Sequence, residues 1–247
     1  MRWLAVDSAL FGDAAARHRR TFAVRALLIF FAPAAMACSP LPCQATEPDA
    51  PPLELLGSAA KALVQAAGGE LVLRYAIGCA LPPGASVSTG DGTQFTGAIG
   101  LAPQWAERAL DPSEQRWISA CLLARTNLFG VRVMLSMRGS RPGLSGSMTD
   151  EEKSNYTFQE GAFYGNLWAQ PPHAYVCSGT GENSVKDRLQ RVCTEESDVA
   201  GISRCGFEIA GNCEDVCEHQ GTDGAKLRCR GGETTYEEII TTFLKAE

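Results

Sequence analysis

Residues 111–137 read Asp111-Pro-Ser-Glu-Gln-Arg-Trp-Ile-Ser-Ala-Cys-Leu-Leu-Ala-Arg-Thr-Asn127, then Leu-Phe-Gly, then Val131-Arg-Val-Met-Leu-Ser-Met137. The first part has an aspartate cap, a proline at the first helical position and a glutamate that closes a capping box. Its apolar residues recur at helical spacing, which predicts a helix to about Asn127. The last part alternates apolar and polar residues, which predicts a strand. A helix and a strand therefore meet in one short segment.

Similar patterns predict elements on both sides of this segment. Helical periodicity predicts helices over 53–67 and 234–245, and alternation predicts strands over 71–79, 158–168 and 174–177. A glycine-rich loop or hairpin tip is expected over 84–94, and a short helix near Thr149. The order shows no regular βαβ alternation, which favours the α+β class. We expect one disulfide-rich domain, with a small antiparallel or mixed sheet packed by a few helices.

An export signal is predicted at the start of the chain. A basic patch over 17–25 leads into an apolar run over 26–37, which is followed by Cys38. The run has twelve residues, whereas a membrane-spanning helix needs about 20. Ala35-Met-Ala37 before Cys38 resembles a bacterial lipobox, with alanine where leucine is usual, and it predicts a lipid anchor on Cys38. The same residues suit ordinary signal peptidase, so plain secretion is the alternative.

These features divide the chain into three parts. Residues 1–37 are the predicted signal peptide, 38–52 a proline-rich tether that contains Cys43, and 53–247 the folded domain. Removal of 1–37 takes away five arginines and two aspartates, which changes the formal net charge from −6 to −9. An acidic chain argues against nucleic acid as a partner. The predicted partners are a membrane, reached through the lipid anchor on Cys38, and an unidentified protein or glycan. The anchor places the protein in the bacterial envelope, and without it the protein would lie outside the cell.

Eight cysteines remain for the domain, and an oxidising compartment favours four disulfides. They are Cys79, Cys121, Cys177, Cys193, Cys205, Cys213, Cys217 and Cys229. Cys79 and Cys121 lie on core elements and could join one another. The other six crowd into the cysteine-dense segment 177–231, where apolar residues are scarce, and would pair among themselves. Each disulfide contributes about 2–4 kcal/mol to the free energy of unfolding, which offsets the small hydrophobic core of this segment.

A zinc site is the alternative for part of this set. Cys205, Cys213, Cys217, His219 and Cys229 offer enough ligands, but their spacing lacks the paired C-x2-C of strong zinc signatures. Export also favours oxidation over thiolate ligation. We therefore expect neither a metal nor another cofactor. Cys213 and Cys217 would share one helical face, so each should reach a separate partner.

Candidates for chemistry are few in this sequence. Glu160 could act as a general acid, and His173 follows two prolines in a predicted loop. Tyr164 and Trp168 could form a stacking platform for a sugar, although buried aromatic residues are commoner. The favoured function is a non-enzymatic binding or structural module. The alternative is an exported hydrolase of glycan or peptide with Glu160 and His173 near its site. One concave site lined by the segment 160–168 and His173, with a shifted carboxylate pKa, would favour this alternative.

Several stretches of the chain are similar to those of a group of exported proteins and lipoproteins of myxobacteria with no characterised activity. The stretches are Gly100-Leu-Ala-Pro-Gln-Trp105, Gln115-Arg-Trp-Ile-Ser-Ala-Cys-Leu-Leu-Ala-Arg-Thr-Asn127, Met137-Arg-Gly139, Glu160-Gly-Ala-Phe-Tyr-Gly-Asn-Leu-Trp168 and Tyr175-Val-Cys177. The resemblance spans most of 95–247. It implies a bacterial envelope or secreted protein, and it implies no substrate, cofactor or functional residue.

Overall fold

The computed structural model describes residues 5–6, 68–89, 92–145, 148–179, 191–221 and 223–245. Cys38, the tether and the helix expected over 53–67 lie outside these residues, as does all of the predicted leader except 5–6. The described part contains both helices and small sheets joined by four disulfides, so the α+β prediction is confirmed.

The described helices are α1 (Gly69–Ala80), α2 (Pro112–Ala124), α3 (Pro142–Ser145), α4 (Asp150–Asn155) and α5 (Cys213–Val216), with a 3-10 turn at Pro103–Ala106. The described strands are β1 (Ala5–Val6), β2 (Ser86–Ser88), β3 (Gln94–Thr96), β4 (Val133–Met134), β5 (Ser136–Arg138), β6 (Phe158–Asn166), β7 (His173–Ser178), β8 (Glu208–Asn212), β9 (Cys217–Gln220), β10 (Lys226–Gly231), β11 (Thr234–Tyr236) and β12 (Ile240–Leu244). None of the described helices has both the length and the apolar composition needed to cross a membrane.

A five-stranded sheet in the order β5-β12-β6-β7-β8 organises the domain. Its strands pair antiparallel except β7 and β8, which are parallel, so the sheet is mixed. Phe163 and Val176 join a core with α1 and α2, whereas Tyr164 and Tyr175 join a second cluster with residues of β10 and β11. Because neighbouring side chains alternate between faces, the helices cover one face. The three-stranded sheet β11-β10-β9 covers the other.

Helix α2 forms as its sequence predicts. The backbone N–H of Glu114 donates to Asp111 Oδ1 at 2.8 Å, and the N–H of Asp111 donates to Glu114 Oε2 at 3.1 Å. These two bonds complete the capping box. Cys121, on the buried side of α2, is bonded to Cys79 of α1, which is the expected pairing. The disulfide and the core contacts hold the two helices together.

Helix α1 replaces the strand predicted over 71–79, and that prediction is wrong. Gly68, expected to end a preceding helix, adopts a left-handed φ of 78° immediately before α1. Residues 75–80 are all buried, so the segment has little of the polar face that distinguishes a helix from a strand. A short apolar run of this kind fits both patterns.

The C-terminal segment forms strands β11 and β12 in place of the helix predicted over 234–245, so that prediction is also wrong. All five residues of β12 are buried between β5 and β6. The segment is rich in threonine and isoleucine, which favour strands. Hydrogen bonds to two neighbouring strands therefore outweigh the local helical periodicity.

The remaining predicted elements appear with small changes. The strand expected over 131–137 divides into β4 and β5, while 158–168 and 174–177 supply β6 and β7. The turn-rich segment over 84–94 contributes to the hairpin of β2 and β3. Thr149 caps α4, as its position near the expected helix start predicts. Strand β1 pairs with β4 in antiparallel register.

An ion pair fixes α2 to the segment between β11 and β12. Arg116 Nε donates to Glu238 Oε2 at 2.7 Å and Arg116 Nη2 donates to Oε1 at 3.0 Å, a bidentate geometry. Burial alone would raise the pKa of Glu238. The hydrogen bonds from Arg116 and Ser113 outweigh burial and hold this pKa below its ordinary value. The charged carboxylate is thus the form that the fold stabilises.

This pair predicts an acid-sensitive contribution to stability. Because the folded state lowers the pKa of Glu238, the unfolded chain binds the proton first, and the contribution disappears as pH falls through the folded pKa. Arg116→Met at neutral pH should cost about 1–3 kcal/mol, less than for a fully buried pair, since the Arg116 side chain is 29% exposed. Urea unfolding from pH 3 to 7 measures both effects. The variant Glu238→Gln should lack the part of the pH dependence of stability that arises from this carboxyl group.

Arg74→Met is the matched control, because Arg74 pairs with Glu70 at the surface and both side chains are about half exposed. It should change stability little at any pH. An Arg116→Met variant that behaves like Arg74→Met would contradict the role assigned to this ion pair.

Candidate functional site

Glu160, the candidate general acid, lies in β6 with a side chain that is 0% exposed. Its Oε1 accepts a hydrogen bond from Arg191 Nε at 2.7 Å, and its Oε2 accepts one from Thr242 Oγ1 at 2.7 Å. Both carboxylate oxygens are therefore engaged inside the protein. A carboxylate so enclosed has no contact with a substrate, and the catalytic role expected for Glu160 finds no support in this geometry.

Arg191 joins this carboxylate to the end of helix α2. Its side chain is also 0% exposed, and Nη2 donates to the carbonyl oxygen of Ala124 at 2.7 Å. The Arg191 carbonyl oxygen accepts a hydrogen bond from Leu128 N–H at 3.2 Å, and the guanidinium lies 5.9 Å from the Phe163 ring centroid. The pair thus holds the sheet, α2 and the α2–β4 connection in one arrangement.

Sequence reasoning missed Arg191 and Thr242 as partners of Glu160. Arg191 is 31 residues away and Thr242 is 82 residues away along the chain. A single sequence carries no signal for such pairing, because the contact arises only when β6, β12 and the cysteine-dense segment pack together.

His173 lies at the opposite end of the strand pair from Glu160. It is the first residue of β7 and pairs with Asn166, the last residue of β6, whereas Gly179 N–H donates to the Glu160 carbonyl oxygen beyond the other end of β7. Six residues along β6 separate the two positions, which is about 20 Å in a strand. Glu160 and His173 therefore do not share a site, and the pair expected for the hydrolase alternative is not formed.

Tyr164 and Trp168 are 0% and 1% exposed, so neither offers a ring face to a glycan. Tyr164 donates its hydroxyl to the Arg230 carbonyl oxygen at 2.8 Å and stacks on Tyr175 with ring centroids 5.8 Å apart. These aromatic residues are core residues, and the binding role expected for them is not supported. His173 in turn stacks on Tyr175 at 6.0 Å.

Tyr164, Tyr175 and Tyr236 form a tyrosine cluster between the two sheets. Burial raises the pKa of Tyr164. Burial, and to a smaller extent the electrostatic effect of Tyr175, raises the pKa of Tyr236 to about 12. All three phenols are therefore neutral near pH 7. A Cβ on Gly231 would lie 2.6 Å from the Tyr175 ring, so glycine at this position allows β10 to approach the cluster.

Two disulfides lie beside the tyrosine cluster and contact each other. Cys177 is bonded to Cys213 and Cys217 to Cys229, and the Sγ atoms of Cys177 and Cys217 are 3.8 Å apart. We call these four residues the sulfur cluster. Cys213 and Cys217 reach separate partners, as expected, although Cys217 begins β9 and is not part of α5.

The fourth disulfide joins Cys193 to Cys205 and closes a separate loop. The six cysteines of segment 177–231 therefore pair among themselves, as expected. Because Cys205 is bonded to Cys193, it does not belong to the sulfur cluster. The zinc set suggested by spacing, which includes Cys205, is not brought together. In the sulfur cluster, Cys177 occupies the place that the predicted zinc set gave to Cys205.

Comparisons with protein-family models, with curated proteins and with solved structures found no match. The function of the chain is therefore inferred from its own residues. Two arrangements stand out among those described: the buried pair of Glu160 with Arg191, and the sulfur cluster. The first has a structural role. The second also has a structural role, and in addition it brings together sulfur atoms that can take part in chemistry.

The buried pair predicts that loss of one charge is worse than loss of both. Glu160→Gln should destabilise the domain by about 3–5 kcal/mol, because it leaves the Arg191 guanidinium buried without its anion. The double variant Glu160→Gln/Arg191→Met should be more stable than the single variant. Chemical unfolding monitored by circular dichroism measures both. Equal stability of Glu160→Gln and the parent chain would contradict this role.

Proposed function

We propose that this chain is an exported, lipid-anchored protein of the bacterial envelope whose domain is a non-enzymatic binding or structural module. The observation that carries the proposal is the pairing of all eight described cysteines in four disulfides. Disulfides of this number persist in oxidising compartments and are rare in the cytosol of mesophiles. The four disulfides therefore support a location outside the cytosol.

The start of the chain supports the same location. The basic patch, apolar run and Cys38 follow the pattern of an export signal with a lipobox. The proline-rich residues 38–52 would extend at about 3.1 Å per residue and hold the domain on the order of 40 Å from a membrane. The resemblance to exported myxobacterial proteins agrees with this placement.

Each of two loops exposes apolar side chains, which suits a binding role. Phe129, Val131 and Val199 are 54%, 37% and 48% exposed. The first two lie in the α2–β4 connection and Val199 in the loop closed by Cys193–Cys205. The connection is held to the base of that loop by the hydrogen bond from Leu128 N–H to the Arg191 carbonyl oxygen. Loops fixed on a rigid scaffold commonly carry binding residues.

Intact-mass analysis of protein extracted from membranes tests the proposal. The expected species begins at Cys38, carries a diacylglycerol group, and gains eight hydrogens from its four disulfides when it is reduced. Cys38→Ser should remove the lipid and abolish membrane retention while all four disulfides form. Cys43→Ser, in the same predicted tether, is the matched control and should stay anchored.

Three results would overturn parts of this proposal. Full-length protein in the cytoplasm with free thiols would contradict both export and the disulfide-bonded state of the domain. A mature chain without lipid in the soluble fraction would contradict the anchor alone. Turnover of a glycan or peptide substrate by the purified domain would contradict the non-enzymatic role.

A further inference from the structure

Three sulfurs of the sulfur cluster lie at the spacing of a tetrahedral metal site. Zinc bound by thiolates has Zn–S distances of about 2.3 Å, which places neighbouring sulfurs about 3.8 Å apart. The Sγ atoms of Cys177 and Cys217 are 3.8 Å apart, and those of Cys177, Cys217 and Cys229 all lie within 4.8 Å of one another. Cys213, bonded to Cys177, is the fourth sulfur and lies outside this group of three. A four-sulfur site therefore requires that Cys213 Sγ move toward Cys217 and Cys229 once the disulfides open.

The backbone keeps these positions without the S–S bonds. Cys217 and Cys229 face each other in the register of β9 and β10, and Cys177 lies in β7, which pairs with β6 and β8. Cys213 begins α5, directly after β8. Ladder hydrogen bonds and the tyrosine cluster therefore hold three of the four sulfur-bearing segments in place when the disulfides are reduced.

Burial also suits a metal site at this place. Cys177, Cys213 and Cys229 are buried, whereas Cys217 is partly exposed and gives a reductant or an ion a route inward.

We propose that the sulfur cluster binds one zinc ion in its reduced state, so that the domain exchanges two disulfides for a metal centre. A dithiol reductant supplies the electrons. Two dithiols reduce the two S–S bonds with four electrons and four protons, and each dithiol becomes a disulfide. The four Cys thiols then lose four protons as the ion binds. This inference goes beyond the proposed function, which needs only the oxidised form.

Metal titration of the detergent-solubilised mature chain, reduced with a phosphine under nitrogen, tests the site. Cobalt(II) serves as the spectroscopic probe. We expect one ion per chain, thiolate-to-cobalt charge-transfer absorption with a tetrahedral ligand-field pattern, and displacement by zinc. The oxidised chain should bind neither ion with comparable affinity. Zinc should also restore native circular dichroism to reduced protein that has lost it.

Matched cysteine variants separate this site from unspecific thiol binding. Cys217→Ser should lower the affinity for cobalt at least tenfold, because it leaves three thiolates. Cys193→Ser/Cys205→Ser, which removes the disulfide outside the cluster, should keep one ion per chain with unchanged affinity. Equal loss of affinity in both variants, or no tetrahedral cobalt spectrum in the reduced parent chain, would overturn the proposal.

Discussion

The insertion of β12 between β5 and β6 is the constraint on which the described structure depends. It brings the last described strand of the chain into the middle of the sheet, with hydrogen bonds to neighbours on both sides. Thr242 of β12 then meets Glu160 of β6, and α2 packs across both strands. Because an unpaired central strand would leave buried polar backbone groups, the sheet and the core on α2 form together.

The ion pair of Glu160 with Arg191 shows how burial decides the role of a charged residue. In sequence, a glutamate beside glycine in a strand is a plausible acid for catalysis. In the structure, its two oxygens are held by a guanidinium and a hydroxyl, both inside the protein. Such a pair contributes little net stability against an apolar replacement, but removal of one partner is costly. In this domain the pair joins the sheet to α2 and to the cysteine-dense segment.

The disulfides divide the domain into a helical part and a cysteine-dense part. Cys79–Cys121 joins two helices that already share a hydrophobic core. Cys177–Cys213 and Cys217–Cys229 lie in the second, smaller cluster with three tyrosines. Crosslinks stabilise this cluster where apolar area is limited. Their close approach also brings the sulfurs of Cys177, Cys217 and Cys229 within 4.8 Å of one another, and the proposed zinc site depends on this spacing.

The sequence by itself determined the α+β class, the capped helix α2, strands β6 and β7, and the division of the eight cysteines into Cys79 with Cys121 and six others. These features follow from local spacing, caps and residue composition. Only the tertiary structure decided that 71–79 is helical, that 240–244 is a strand, that Glu160 is buried, and that Cys177 lies beside Cys217. Each of these depends on partners distant in the chain. Burial and strand pairing then override the local pattern.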